Sequence, residues 1–243
     1  MKINPNKLLV VYSGLLTAAV ALSLGSGGAV AQPGSRTSFD TIEVKRINVR
    51  EDDGTLRMVV SNTSRSPGFI YQGKERPRPN GNRGAGIIFF DNQATEIGGL
   101  VFSGRRDKDG TVSSNGHLSF DQFEQDQVIQ LTQSEYAGRR WAAMIVNDRL
   151  DAPLDLDLAV RFAKMPPGPE KDALTKKLLA EGVGGRQRLY VGKTRDRDSV
   201  VTLSDALGRP RMTLKVTQGG AASIDFLDEN GKVQRSLTSA EKP

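Results

Sequence analysis

A strand–turn–strand unit recurs along this sequence, and it restricts the chain to antiparallel β structure. Two copies share Gly-x-x-Arg-Met: Gly54-Thr-Leu-Arg-Met58 and Gly208-Arg-Pro-Arg-Met212. Each follows a turn signal and opens a strand. A second mark is an apolar residue two positions before an aspartate that closes a strand. It occurs at Phe89-Phe90-Asp91, Val146-Asn147-Asp148, Leu203-Ser204-Asp205 and Phe226-Leu227-Asp228. Such an aspartate can accept bonds from backbone N–H groups of the turn that follows. Asp205 and Asp228 lie 23 residues apart, the length of one two-stranded unit with its turns. Within that unit Pro210, Met212, Leu214 and Val216 share one face, and Arg209, Arg211, Thr213 and Lys215 the other. The basic face is expected to meet solvent or Asp225 across the ladder.

The same period-two reading extends over most of the chain. It predicts a hairpin over residues 42–61, turning at Asp52-Asp53-Gly54-Thr55, with a bulge where the phase slips before Ile47. Further strands are expected at residues 86–90, 99–102, 117–120, 126–131, 140–146 and 154–162. The last of these rests on strict alternation of Leu154, Leu156, Leu158, Val160 and Phe162. Strands return at residues 188–191, 200–203, 210–216, 223–227 and 233–237. Residues 64–86 carry Pro67, Pro77 and Pro79 among several glycines and read as a long basic loop. One short peripheral helix is expected from Glu170 to Glu181, stopped by Gly182. One hairpin cannot bury its apolar face alone, so the units must assemble. The expected fold is all-β: antiparallel hairpin repeats closing into a propeller-like array or a barrel, with a two-sheet sandwich as the further option.

Four segments resemble a family of bacterial exported or single-anchor β-repeat proteins that carries no assigned function. They are Ala85-Gly-Ile-Ile-Phe-Phe-Asp-Asn92, Glu96-Ile-Gly-Gly-Leu-Val-Phe102, Asp121-Gln-Phe-Glu-Gln-Asp-Gln-Val128 and Phe226-Leu-Asp-Glu-Asn-Gly-Lys232. The resemblance covers most of residues 39–237. It implies compartment and fold, and it transfers no catalytic residue or ligand.

The N-terminus points to export. Lys2 and Lys7 are the only charged residues before Arg36, and residues 8–24 are uncharged and largely apolar. Small residues follow, ending in Ala29-Val30-Ala31 before Gln32. A positive start, an apolar run and a small-x-small site are the parts of a secretory signal. The run is long enough that an uncleaved anchor is the alternative, with membrane attachment through residues 8–31. Either way the two lysines stay inside and the body goes out, to the periplasm or the extracellular space. The domain reading is therefore residues 1–31 as signal or anchor, 32–38 as linker and 39–243 as a β-repeat domain.

Composition narrows the chemistry. The chain has no cysteine, hence no disulfide, thiolate metal site or cysteine nucleophile. Its formal charge of +6 includes Lys2 and Lys7, so the body is mildly basic, with both signs dispersed. That suits attraction to an anionic envelope polymer or an envelope protein. Nucleic acid would need a basic stripe with stacking aromatics, and aromatics make up only 6% of the chain. No cofactor or metal site is read from the sequence. His117, the only histidine, is the one residue on which a Ser–His–carboxylate site could be built. It follows a turn-like Ser113-Ser114-Asn115-Gly116 run, no serine lies in a Gly-x-Ser-x-Gly elbow, and it reads as a surface or strand-edge residue. Glu124 and Asp126, two apart, would share a face about 7 Å apart on a strand, and paired carboxylates at such a distance can carry out glycoside hydrolysis. Gly98-Gly99 reads as a close backbone approach at a bend or bulge rather than a phosphate loop. Asp107-Lys-Asp-Gly110 reads as a turn rather than a calcium loop. Lys74, Arg76, Arg78 and Arg83 are the candidate ligand-binding residues, since their side chains can reach phosphate or carboxylate groups. The expected function is a non-enzymatic exported binding or scaffold module. The alternative is a secreted hydrolase acting on glycans through Glu124 and Asp126.

Overall fold

The structure is a computed structural model that describes residues 36–78 and 84–238. The chain divides into two units between Glu43 and Val44. Of the first unit, residues 36–43 are described, and they form no helix or strand. The signal or anchor expected at residues 1–31 lies outside the described residues, as does most of the linker at residues 32–38.

The second unit is built on one long antiparallel ladder. In chain order the strands begin with β1 (Arg46–Arg50), β2 (Leu56–Ser61), β3 (Phe69–Tyr71), β4 (Lys74–Arg76), β5 (Ala85–Phe90), β6 (Glu96–Arg106) and β7 (Val112–Asp121). They continue with β8 (Gln127–Tyr136), β9 (Arg139–Asp148), β10 (Arg186–Lys193), β11 (Ser199–Ser204), β12 (Pro210–Val216), β13 (Ala222–Leu227) and β14 (Val233–Thr238). The short β3 and β4 form a separate hairpin between β2 and β5, and the rest pair in sequence as a twelve-stranded sheet. The all-β, antiparallel expectation therefore holds. The closed propeller or barrel does not: the described strands make an open sheet whose end strands β1 and β14 do not pair with each other.

The turns explain the sequence repeat. In eight hairpin turns the first residue's N–H donates to the carbonyl four residues on, as at Asp205 N to Arg209 O (2.9 Å). Asp91, Asp205 and Asp228 also use Oδ1 to accept from the backbone N–H groups two and four residues later, at 2.8–3.1 Å. In seven of these eight turns the fourth residue is left-handed, a place filled by Gly54 (φ 89°) and Gly208 (φ 75°) in the shared motif. The next strand enters with a bulge. Val49 opposes Met58 and Arg50 opposes Leu56, so Arg57 is the extra residue. Arg211 is skipped in the same way between Leu203–Met212 and Ser204–Pro210. Gly-x-x-Arg-Met is thus a turn glycine, a bulged arginine and a methionine returned to a fixed face. Asp148 departs from the pattern. Its strand leads into helices, and its Oδ2 pairs with Arg188 at 2.5 Å.

The core lies under the small hairpin. Leu56, Val59, Ile70, Ile88, Phe90, Ala94 and Val101 form one buried cluster, with Val59 and Phe90 at 0% and 1% exposure. Burial of the larger of these side chains stabilises by roughly 1.5–3 kcal/mol each. The hairpin tip is tied down by Gln72 N donating to Thr95 Oγ1 (2.9 Å) and Gly73 N to Ala94 O (3.2 Å). Of the loop expected at residues 64–86, residues 64–78 are therefore not structureless. They take in most of a 3-10 turn (Thr63–Arg65) and this covering hairpin. The predicted N-terminal hairpin is present but starts at Arg46, four residues later than expected.

Two helices, not one, separate β9 from β10: α1 (Leu156–Lys164) and α2 (Pro169–Glu181). The strand predicted at residues 154–162 is α1. Leu156, Ala159, Val160 and Ala163 also satisfy helical spacing, and the capping group decides between the two periods. Asp155 Oδ1 accepts from Leu158 N at 2.8 Å, Asp157 sits in the first turn, and Arg161 and Lys164 sit in the last. The helix predicted from Glu170 to Glu181 is α2, closed by left-handed Gly182.

Candidate functional site

Directly opposed residues in a ladder point to the same face. Following the register from β1 to β14 gives one continuous row: Ile47, Val60, Ile87, Leu100, Leu118, Leu131, Met144, Val191, Val201, Leu214, Ile224 and Leu237. Every one of the twelve strands contributes an apolar residue. The adjacent row on the same face runs from Val49 and Met58 through Phe89, Gly98 and Phe120 to Ile129. It continues through Val146, Leu189, Leu203, Met212 and Phe226 to Arg235. Gly98 interrupts it because a Cβ there would stand 2.5 Å from Ser119 O, the close approach expected from the Gly98-Gly99 pair.

The opposite face has a different character. Under the β3–β4 hairpin it supplies the buried core. Beyond β6 it turns largely polar, with Ser119, Gln130, Thr202, Thr213, Asp225 and Ser236 along one register line. Asp225 accepts from Ser236 Oγ (2.6 Å) and Ser223 Oγ (3.2 Å), so serines rather than the basic residues answer it.

The apolar rows stay open to solvent. Phe120 is 53% exposed and Leu131 46%, and Phe102, beside the rows on the same face, is 58% exposed. Neither helix buries a residue. Eleven interstrand steps of about 4.8 Å make the stripe about 53 Å long, and two rows with their side-chain radii make it about 12 Å wide. Its two halves differ in relief. Phe89, Phe102 and Phe120 form an exposed phenyl cluster on β5, β6 and β7, with the Phe102 ring lying over Gly116. Across β10–β14 the face is concave, an open trough of about 700 Å3 lined by Val191, Val201, Leu214, Val216, Ile224 and Leu237. Charge borders the stripe on its face at Arg106, Lys193 and the Glu135–Arg140 pair (2.8 Å). A hydrogen bond from Arg140 holds the Glu135 carboxyl below its ordinary range. The sheet edges also carry charge: Arg46 and Arg50 on β1, and Arg235 on the apolar face of β14. Charged edges discourage strand addition.

The sequence-predicted residues are placed elsewhere. Lys74 and Arg76 lie on β4, and Arg76 pairs with Asp157 at 3.2 Å in an exposed contact. Arg78 is largely buried. It meets Glu96, whose side chain is 3% exposed, at 2.5 Å and stands 5.8 Å over the Phe69 ring. It thus ties the hairpin to β6, a structural contact that its spacing does not reveal. Arg83 lies outside the described residues. Glu124 and Asp126 sit in the β7–β8 turn rather than on a strand, Glu124 in the left-handed region (φ 53°). Glu124 accepts from Gln72 Nε2 (3.2 Å), and Asp126 pairs with Arg149 (3.6 Å), so separate partners hold the two carboxylates. His117 is central in β7, opposite Val101 and Thr132, rather than at a strand edge. Among the described residues no cluster of three or more His, Asp or Glu could hold a metal ion, and no helix is long and apolar enough to cross a membrane.

Sequence reasoning alone misses the apolar face as a site. Its signal lies in the apolar residues two before the closing aspartates, since Phe89, Val146, Leu203 and Phe226 all belong to the second row. The chain matches no protein-family model, and it has no significant match among curated proteins.

Proposed function

We propose that this chain is an exported binding or scaffold module without catalytic function, and that its working surface is the apolar face of the long sheet. The observation that carries the reading is the unbroken row from Ile47 to Leu237. An apolar sheet face normally packs against a second layer, and a soluble monomer rarely exposes a contiguous apolar patch beyond about 300–600 Å2. The N-terminal segment supports an address outside the cytoplasm, where an envelope component is the partner class. Lys74, exposed on the hairpin, offers a secondary, electrostatic contact to an anionic polymer.

The stripe does not suit lipid. Its two rows span about 7 Å along the strands, against the apolar band of about 25 Å on a membrane-spanning barrel.

One substitution at the centre of the row tests this reading. Leu131→Lys places a charge on the apolar face at a half-exposed position. It should release the chain from the envelope fraction while leaving the circular dichroism and melting temperature of the dilute monomer essentially unchanged. Unchanged fractionation of a folded Leu131→Lys chain would rule the face out as the working surface.

A further inference from the structure

We propose that the partner on this face is a second copy of the same chain, packed sheet to sheet about a two-fold axis. The inference rests on the reading of the apolar face as a docking surface and names its occupant, with the paired chains rather than a single chain being what the envelope retains.

Three observations carry it. The first is area. A stripe of about 53 Å by about 12 Å is roughly 600 Å2 in projection. A corrugated layer of side chains exposes more than its projection, which brings it to the about 800 Å2 per partner of a standard stable interface. The second is relief. The phenyl ridge of Phe89, Phe102 and Phe120 occupies one half of the stripe, and the trough over Leu214 occupies the other. A two-fold axis near β8 and β9 sets the ridge of each copy over the trough of the other, so each contact is made twice, as an isologous interface requires. The third is the edges. Arg46, Arg50 and Arg235 oppose growth by strand addition, which leaves face packing as the route to assembly. Two right-twisted sheets pack face to face about 10 Å apart, with strands inclined by about 30°. The result is a β-sandwich whose two layers come from two chains.

The rim is compatible with this arrangement. Arg106, Lys193 and the Glu135–Arg140 pair lie along one border of the stripe, where they remain hydrated rather than enclosed.

The absence of native cysteine makes the test clean. Cells expressing Phe102→Cys and Leu214→Cys chains together should yield a 102–214 link with a short bis-maleimide, and neither variant alone should link efficiently. The protein isolated from the envelope should have twice the chain mass by sedimentation. Leu214→Lys should weaken dimerisation at least about 100-fold, since symmetry buries the unpaired ammonium twice. Thr213→Lys, on the opposite face of the same strand, should leave it unchanged. Melting curves of both variants check that the fold survives. Efficient 102–102 or 214–214 links would overturn the ridge-in-trough arrangement. A monomer whose envelope association still depends on Leu131 would overturn the second copy while sparing the docking face. A monomer whose association is indifferent to Leu131 would remove both.

Discussion

The two ends of the sheet use the same strands and turns but are stabilised differently. From β1 to β6 one face is closed by the β3–β4 hairpin, and seven apolar residues lie buried there. From β10 to β14 neither face is covered, and side chains such as Val191, Leu203 and Leu214 remain more than a third exposed. The N-terminal end therefore has a core of its own. The C-terminal end rests on ladder hydrogen bonds, on turn geometry and on whatever closes its apolar face. Regular β structure does not require equal burial, and the regions of least burial are where a partner has most to contribute.

The largest effect should separate the two ends directly. Phe90→Ala opens a cavity in the closed core and should cost about 3–5 kcal/mol in urea unfolding. Leu214→Ala, in the open trough, should cost about 1 kcal/mol or less while the chain is monomeric. Equal losses would erase the distinction. Next comes the hairpin's tie to the sheet. Glu96→Ala leaves Arg78 in a largely buried position without its carboxylate and should cost about 3 kcal/mol or more. Hydrogen exchange should locate the loosening at β3, β4 and β6 rather than at β12–β14.

Turn substitutions probe the open end with smaller effects. Arg197 occupies the left-handed fourth place of the β10–β11 turn (φ 69°), where related turns use glycine. Arg197→Gly should stabilise by about 1 kcal/mol, read as a higher urea midpoint. The smallest effect is a pH dependence. The N–H of Lys232, bonded to Asp228 Oδ1, is the first cause holding that carboxyl below its ordinary value of 3.8. A folded-state pKa lowered in this way adds stability above the ordinary value and loses it as pH falls through the folded one. Asp228→Asn keeps an acceptor and removes the titration. Its unfolding midpoint should therefore change less between about pH 5 and about pH 2 than that of the parent chain.

Much of this is legible in the sequence because hairpins are local. Period-two alternation locates nearly every strand, and the aspartates and glycines of the turns mark their ends. Two local readings fail for identifiable reasons. Residues 154–162 satisfy both a two-residue and a helical period, and the Asp155 cap tips the balance. The β3–β4 hairpin has three-residue strands among prolines and glycines, too short for alternation to register, and its tip is held by Thr95 and Ala94 from distant sequence. The open ladder is a question of closure, which no pairing of neighbours determines. The candidate site is hidden for a similar reason. By sequence Arg78 is one more cation in a basic loop, and only its contact with Glu96, eighteen residues away, makes it a structural tie. The face that replaces it consists of ordinary apolar strand residues, and only the register makes them continuous.

Oxidative footprinting tests the central claim most directly, because the two faces carry their own reporters. Phe102, Phe120, Met144 and Met212 lie on the apolar face, and Trp141 and Tyr190 on the other. Hydroxyl radicals should modify the first group much less in intact envelopes than in dilute purified protein, with Trp141 and Tyr190 unchanged between the two. Equal modification of Phe102, Phe120, Met144 and Met212 in both settings would contradict the account.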